Sequence, residues 1–316
     1  MSGEAGKGAM PARADRRRRT RRGHGARLAI AAPYLWLLLF FAVPFLFVLK
    51  ISFSSVLVAM PPYAPLIEWV GNQSLAIRLN VANYLFLFTD DLYISSWLYS
   101  LKVAAVSTVG CLLLGYPMAY AIARSSPAWR SLFLLLIILP FWTSFLLRVY
   151  AWIGLLKNNG LINNALLALG IIDQPITMMQ TDFAVYVGII YSYLPFMILP
   201  LYANLEKHDL LLLEAAKDLG ARPRTAFLRI TLPLSLPGIV AGSLLVFIPA
   251  VGEFVIPSLL GRTDQLMIGR VLWDEFFANR DWPVASAVAI IMLLLLVVPI
   301  TIFQRLESRE LGGGRR

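Results

Sequence analysis

The chain is short of the residue types that build most catalytic and metal centres. Its 316 residues include one cysteine, Cys111, and two histidines, His24 and His208. A lone cysteine excludes an intramolecular disulfide and any zinc or iron–sulfur site made from cysteine. The two histidines are far apart in the sequence, which argues against an imidazole metal site or catalytic pair. No G-x4-G-K-[ST] phosphate loop occurs, so any nucleotide must be bound by another chain. Charge is scarce as well: 15% of the residues are Asp, Glu, Lys or Arg, against about 25% in a soluble domain. That shortfall excludes an ordinary water-solvated fold.

Apolar residues take up the difference. Hydrophobic types make up 59% of the chain, and the mean hydropathy is positive. About 20 apolar residues in a helix cross the roughly 30 Å hydrocarbon core of a bilayer. Backbone groups in lipid must be satisfied within the segment, so apolar runs of this length are helical. The pattern predicts an all-α, polytopic membrane protein with six transmembrane helices, at 28–53, 97–123, 131–156, 183–205, 236–260 and 284–303. The size suits one membrane domain, 28–305, with a basic arm at 1–27 and a short tail at 306–316.

The net charge of +10 is unevenly spread, which disfavours nucleic acid as a partner. Nine of the 28 basic residues lie in the arm, among them Arg16 to Arg19. A basic arm ahead of an apolar run acts as a cytoplasmic retention signal and favours anionic membrane lipid. With the N-terminus inside, the four cytoplasmic segments carry nine, two, five and four Lys or Arg residues. The outer loops hold Arg78, Lys157, Arg262, Arg270 and Arg280 alone. Both termini are therefore expected in the cytoplasm. The 261–283 loop mixes acids with Trp273, Phe276, Phe277 and Trp282, a combination that suits either a solvated connector or a docking surface.

The segment 206–232, between the fourth and fifth spans, carries the most information. Residues 210–219 are strong helix formers, Gly220 permits a sharp turn and Pro223 suits the start of a further helix. A short amphipathic helix held at the membrane face can insert into a partner's groove as a lever; the plain alternative is a connector. Glu214-Ala215-Ala216, Gly220, Ile230 and Leu232-Pro233 match the spacing EAA-x3-G-x9-I-x-LP at each position. This resembles the signature loop of permease subunits in bacterial binding-protein-dependent ABC importers. The resemblance extends over 30–305. Residues 140–144 and 148–150 look like polyamine permeases, and 246–257 and 279–286 look closest to the putrescine branch.

The resemblance implies the type I ABC importer permease fold, a location in the bacterial inner membrane and no enzymatic activity of the chain's own. It implies a coupling helix in a cleft of an ATPase subunit, with Glu214, Ala215, Ala216, Asp218 and Gly220 at that interface. The implied partners are a second permease subunit in a heterodimer, two ATPase subunits and a periplasmic polyamine-binding protein. No cofactor is expected on this chain, since ATP belongs to the partner.

Charges within spans are functional candidates because they are costly to insert. Glu253 and Arg148 fall at similar depth, about 26 Å from the cytoplasmic end at about 1.5 Å per residue. Either they pair and lock two helices, or Glu253 faces the substrate path while Arg148 reaches the outer interface. Pro249, Gly252 and Pro257 interrupt the fifth span around Glu253, as in helices that line a cavity. Trp142, Tyr150, Tyr191 and Tyr193 are candidate aromatic faces for a polyamine along that path. The expected cargo is a polyamine, putrescine first and spermidine next. The alternatives are an ion-gradient-driven transporter of organic cations, for which Glu253 is the only coupling carboxylate available, and a non-transporting membrane anchor.

Overall fold

The computed structural model describes residues 30–70 and 74–313; the basic arm lies outside them. Four helices are long and apolar enough to cross a bilayer: α1 (Ile30–Ser52), α3 (Asp91–Arg124), α7 (Asp182–Leu205) and α9 (Pro223–Val251). They correspond to the first, second, fourth and fifth expected spans. A sixth apolar stretch, Trp282–Val297, opens the long helix α12 (Trp282–Gly313).

The expected third span is not one helix. α4 (Pro127–Trp142) is followed by the helical run Phe145–Ala168, which leaves it at 92°. That run contains α5 (Phe145–Leu156) and the short α6 (Leu161–Ala168). Pro140 has no N–H to continue α4, and Thr143 turns its own hydroxyl back onto the Pro140 carbonyl at 2.7 Å. The expected fifth span is also divided. It stops at Val251 and resumes as α10 (Val255–Leu260). Proline leaves two further marks: one-turn π-helical stretches at Leu38–Ala42 and Phe227–Thr231 lie just ahead of Pro44 and Pro233. There the ring would collide with the carbonyl four residues back, and a widened turn relieves the collision.

The connections show how the helices alternate. Tyr99 on α3 bonds Asp182 at the start of α7, and the Cys111 thiol faces the Ile190 carbonyl, so α3 and α7 run parallel. Tyr116 reaches Ser235 near the start of α9 at 3.0 Å, so α9 runs against both. One end of the bundle thus holds 125–126 and 206–222, including α8 (Leu211–Asp218). The other holds 53–90, 157–181 and 261–281. This second end carries β1 (Ile67–Val70) paired antiparallel with β2 (Ser74–Ile77), the helix α2 (Ala82–Thr89) and α11 (Ile268–Trp273). The β-ribbon is not foreseen in the sequence and leaves the class of the helical bundle unchanged.

The core lies among α3, α7, α9 and α10, with Val103, Ile189, Val251 and Ile256 buried in it. Lipid tails are as apolar as leucine, so helices in a membrane associate through close packing rather than through hydrophobic exclusion. Small residues supply it. A Cβ on Gly242 would lie 2.8 Å from the Met197 sulfur and 3.0 Å from the Met197 carbonyl oxygen. In contrast, α1 exposes Tyr34, Leu35, Trp36 and Phe41 around its surface, as a helix in lipid does. Gly242→Leu is expected to destabilise the detergent-solubilised chain by about 1–3 kcal/mol through overpacking. Gly154→Leu, where nothing lies within 4 Å, should shift thermal unfolding little; equal losses would contradict this packing.

Candidate functional site

Two places hold most of the residues marked in the sequence: the gap between α9 and α10, and the α8 turn.

At the gap, Gly252 caps the end of α9 and α10 begins at Val255. A new helix start presents N–H groups with no partner in the preceding turn. Glu253 supplies it. Its Oε1 accepts from the N–H groups of Phe254, Val255 and Ile256 at 3.2, 3.0 and 3.3 Å. Its Oε2 accepts from the Tyr193 hydroxyl on α7 at 2.5 Å. Glu253 as a whole is 7% exposed. The backbone around it is held tightly, since a Cβ on Gly269 in α11 would fall 2.4 Å from the Gly252 carbonyl oxygen. Ser100 on α3 accepts from the Ile268 N–H at 2.8 Å.

Arg148 is not the partner of Glu253. Its guanidinium lies over the rings of Phe141 and Phe145, 5.2 and 5.7 Å from their centroids, and its Nε is buried without an acceptor. Of the two readings left open by sequence, the ion pair is not formed. The carboxylate also has little surface to offer an ammonium group.

The four aromatic candidates do not converge. Tyr193 is with Glu253. Tyr191 lies about 200° around the same helix and packs edge-on against Trp152. Trp142, at the bend after α4, is 75% exposed, and Tyr150 on α5 is 54% exposed. Among the described residues no ring contact joins these two to the others.

The turn 206–222 is built as its sequence suggests. The Asp209 carboxylate accepts from the Leu211 N–H at 3.0 Å and starts α8. Gly220 ends it with φ +77°, a left-handed conformation that costs any residue with a Cβ. The N–H of Gly220 bonds Lys217 and that of Ala221 bonds Ala216, the paired closure of a Schellman turn. Glu214, Ala215, Asp218 and Gly220 are exposed and Ala216 is half-buried. Leu211 and Leu219 add 66% and 88% exposed apolar side chains. Arg130 on α4 ties the region down through an ion pair to Glu206.

The opposite end contains a cluster that sequence reasoning did not assemble. Tyr93 at the start of α3 donates to Glu275 at 2.7 Å. Phe254, Trp273 and Phe277 form a ladder with centroids 4.8 and 4.2 Å apart, and Phe276 stacks on Trp282. Burial and the charge of Glu275 hold the Asp281 carboxyl above the usual carboxylate range. The aromatic-acid composition of 261–283 was the available signal; contact with Tyr93, 182 residues away, was not visible in it. Among the described residues no group of three or more His, Cys, Asp or Glu is placed to hold a metal ion.

Residues 111–311 match the family described as binding-protein-dependent transport system inner membrane component. The spermidine/putrescine transport system permease protein PotB of Haemophilus influenzae is 39% identical over 279 residues, covering 88% of this chain and 93% of that protein. PotB of Escherichia coli K12 is 44% identical over 216 residues, 68% of this chain and 78% of that one. Among solved structures, a chain of a bacterial ABC transporter that imports the acidic polysaccharide alginate superposes with a TM-score of 0.64. It is 17% identical over 92% of this chain and 99% of its own.

Glu253→Ala leaves three backbone donors and the Tyr193 hydroxyl without their acceptor. It is expected to lower stability by about 2–4 kcal/mol, in line with hydrogen bonds to a charged group. Glu253→Gln keeps one accepting oxygen over the α10 start and should lose less than half of that. Thermal unfolding of the three purified proteins checks the order, and an alanine variant as stable as wild type would refute the capping role.

Proposed function

The chain belongs to the inner membrane components of binding-protein-dependent transport systems, and from that premise we propose that it is the permease half of an ATP-driven importer for polyamines. The observation that carries the reading is α8: a short, exposed helix with a fixed Gly220 turn, bearing the importer signature where a partner can grip it. Support for the cargo comes from the spermidine/putrescine permeases to which the chain is 39–45% identical.

In this reading the α8 end faces the cytoplasm, in keeping with the distribution of Lys and Arg. Glu214, Ala215, Ala216, Asp218 and Gly220 form the contact with an ATPase subunit. Two such subunits, a second permease chain and a periplasmic binding protein complete the assembly. ATP is bound by the ATPases, and no cofactor resides here. The aromatic rim of Trp273 and Phe277 at the opposite end is the surface offered to the binding protein.

The substrate path follows the divided helices. Glu253 and Tyr193 act there by holding the α9–α10 gap open, as positioning residues. Trp142 and Tyr150 offer exposed ring faces to an ammonium group. Tyr191 is left out, because it lines a cavity that already holds the Arg148 cation. The lead given to putrescine rests on 246–257, the run around Glu253, and on 279–286. Since the oxygens of Glu253 are occupied within the chain, we take putrescine and spermidine together as cargo.

An ion-gradient mechanism needs a carboxylate free to take up and release its coupling ion. Glu253, with four donors on it, is poorly suited to that task.

Glu214→Ala and Gly220→Val are expected to lower ATP-dependent uptake at least about tenfold, or about 1.4 kcal/mol of coupling, while the protein remains in the membrane at normal levels. Uptake at the wild-type rate would remove the lever from the account. Labelled putrescine uptake should be competed by excess spermidine and left unchanged by alginate. Failure of spermidine to compete would confine the cargo to diamines.

A further inference from the structure

We propose that the cavity beside Arg148 is a binding site for an anionic phospholipid, with the lipid phosphate on the guanidinium and an acyl chain along the cavity. The 92° departure of α5 from α4 opens a space of about 400 Å³. Its walls come from Met118 and Ile122 on α3, Phe133 and Ile137 on α4, and Leu194 and Ile198 on α7; Arg148 is the one charged residue that lines it. Pockets for small amphiphiles have this size and make-up: mostly apolar, with a few polar groups that fix orientation.

The guanidinium is the unusual element. No Asp or Glu occurs between 127 and 156, and Glu253 is engaged by Tyr193. The Arg148 Nε is buried and unpaired. A cation at membrane depth without a counter-charge is expensive, and the planar fork of arginine matches a phosphate in two-point contact.

The remaining features decide between occupants. A polyamine is repelled by the arginine. A soluble anion gains nothing from walls made of leucine, isoleucine and phenylalanine. A phospholipid uses both parts, and the cavity runs along α7 from Tyr191 to Ile198, about 10 Å of helix along which an acyl chain can lie.

Native mass spectrometry of the full-length chain in mild detergent tests this, with phosphatidylglycerol and phosphatidylcholine of identical acyl chains as probes. The first phosphatidylglycerol should bind wild type about tenfold tighter than phosphatidylcholine, and Arg148→Gln should reduce that preference below about twofold. Ile137→Trp, which fills the cavity, should weaken both lipids, and Arg148→Lys should retain a reduced preference. These two variants decide the matter if Arg148→Gln does not fold. Glycerophosphoglycerol, the headgroup without chains, should not displace the lipid. Equal binding of the two lipids to wild type, or a preference that survives Arg148→Gln, overturns the proposal. So does displacement by the headgroup alone, which would mean a soluble-anion site. Loss of the lipid from the assembled importer, with residue 148 crosslinking to a carboxylate of the second permease chain, also overturns it.

Discussion

Backbone donors at membrane depth have no water to turn to, and a helix that stops and restarts there creates several at once. Between α9 and α10 three of them converge on one oxygen of Glu253, while the other oxygen is anchored to Tyr193 on α7. This arrangement lets the chain hold an irregular backbone at a depth where irregularity is otherwise excluded. The close neighbours of the gap depend on it in turn. Gly269 can approach the Gly252 carbonyl only while that carbonyl stays where the cap fixes it. The α11 segment, and with it the aromatic ladder from Phe254 through Trp273 to Phe277, is positioned by the same contact. A charged residue within a span is usually read as a point of contact with cargo. Here both carboxylate oxygens accept hydrogen bonds from the protein itself.

Much of this was legible in the sequence. Hydropathy locates the spans because the bilayer imposes one length on every crossing helix. The turn after α8 is legible because Gly220 must adopt a left-handed backbone and Pro223 suits a helix start, both local demands. The gap at 252–254 is flagged by Pro249, Gly252 and Pro257. The bend at 143–144 was missed: a hydropathy window averages over 131–156 and is blind to direction. One proline is compatible with either a kink or a full turn. What decides for the turn is Thr143 capping back onto Pro140, a contact indistinguishable in advance from the many Thr–Pro neighbours inside helices. The Glu253–Tyr193 pairing was missed for another reason. It joins residues 60 positions apart, and several tyrosines at similar depth were equally eligible.

Arg148 shows why one of the two readings left open by the sequence is not realised. Equal depth and opposite charge are necessary for an intramembrane ion pair but say nothing about azimuth. α5 departs from α4 at a near right angle, and the arginine lies over the rings of Phe141 and Phe145. The same bend that separates the two charges opens the apolar cavity at which the arginine points, so one local feature, Pro140 to Ser144, accounts for both. The sequence contained each charge; the geometry between them depended on a turn that hydropathy does not report.

The two candidate places are joined by one helix. α9 runs without interruption from Pro223, beside the α8 turn, to Val251, beside Glu253. At about 1.5 Å per residue that is roughly 43 Å of continuous helix. It is fixed along its length by contacts that tolerate no extra atom, such as Gly242 against Met197 and Gly238 against Asn204. A helix so packed does not bend smoothly; it moves as a body or not at all, because close-packed interfaces switch between discrete arrangements. A displacement applied at α8 would therefore be carried along α9 to Val251, next to the break that Glu253 caps. The divided helix is then the complement of the undivided one: α9 would pass a motion along its length as a rigid body, and the break capped by Glu253 is where that straight run ends.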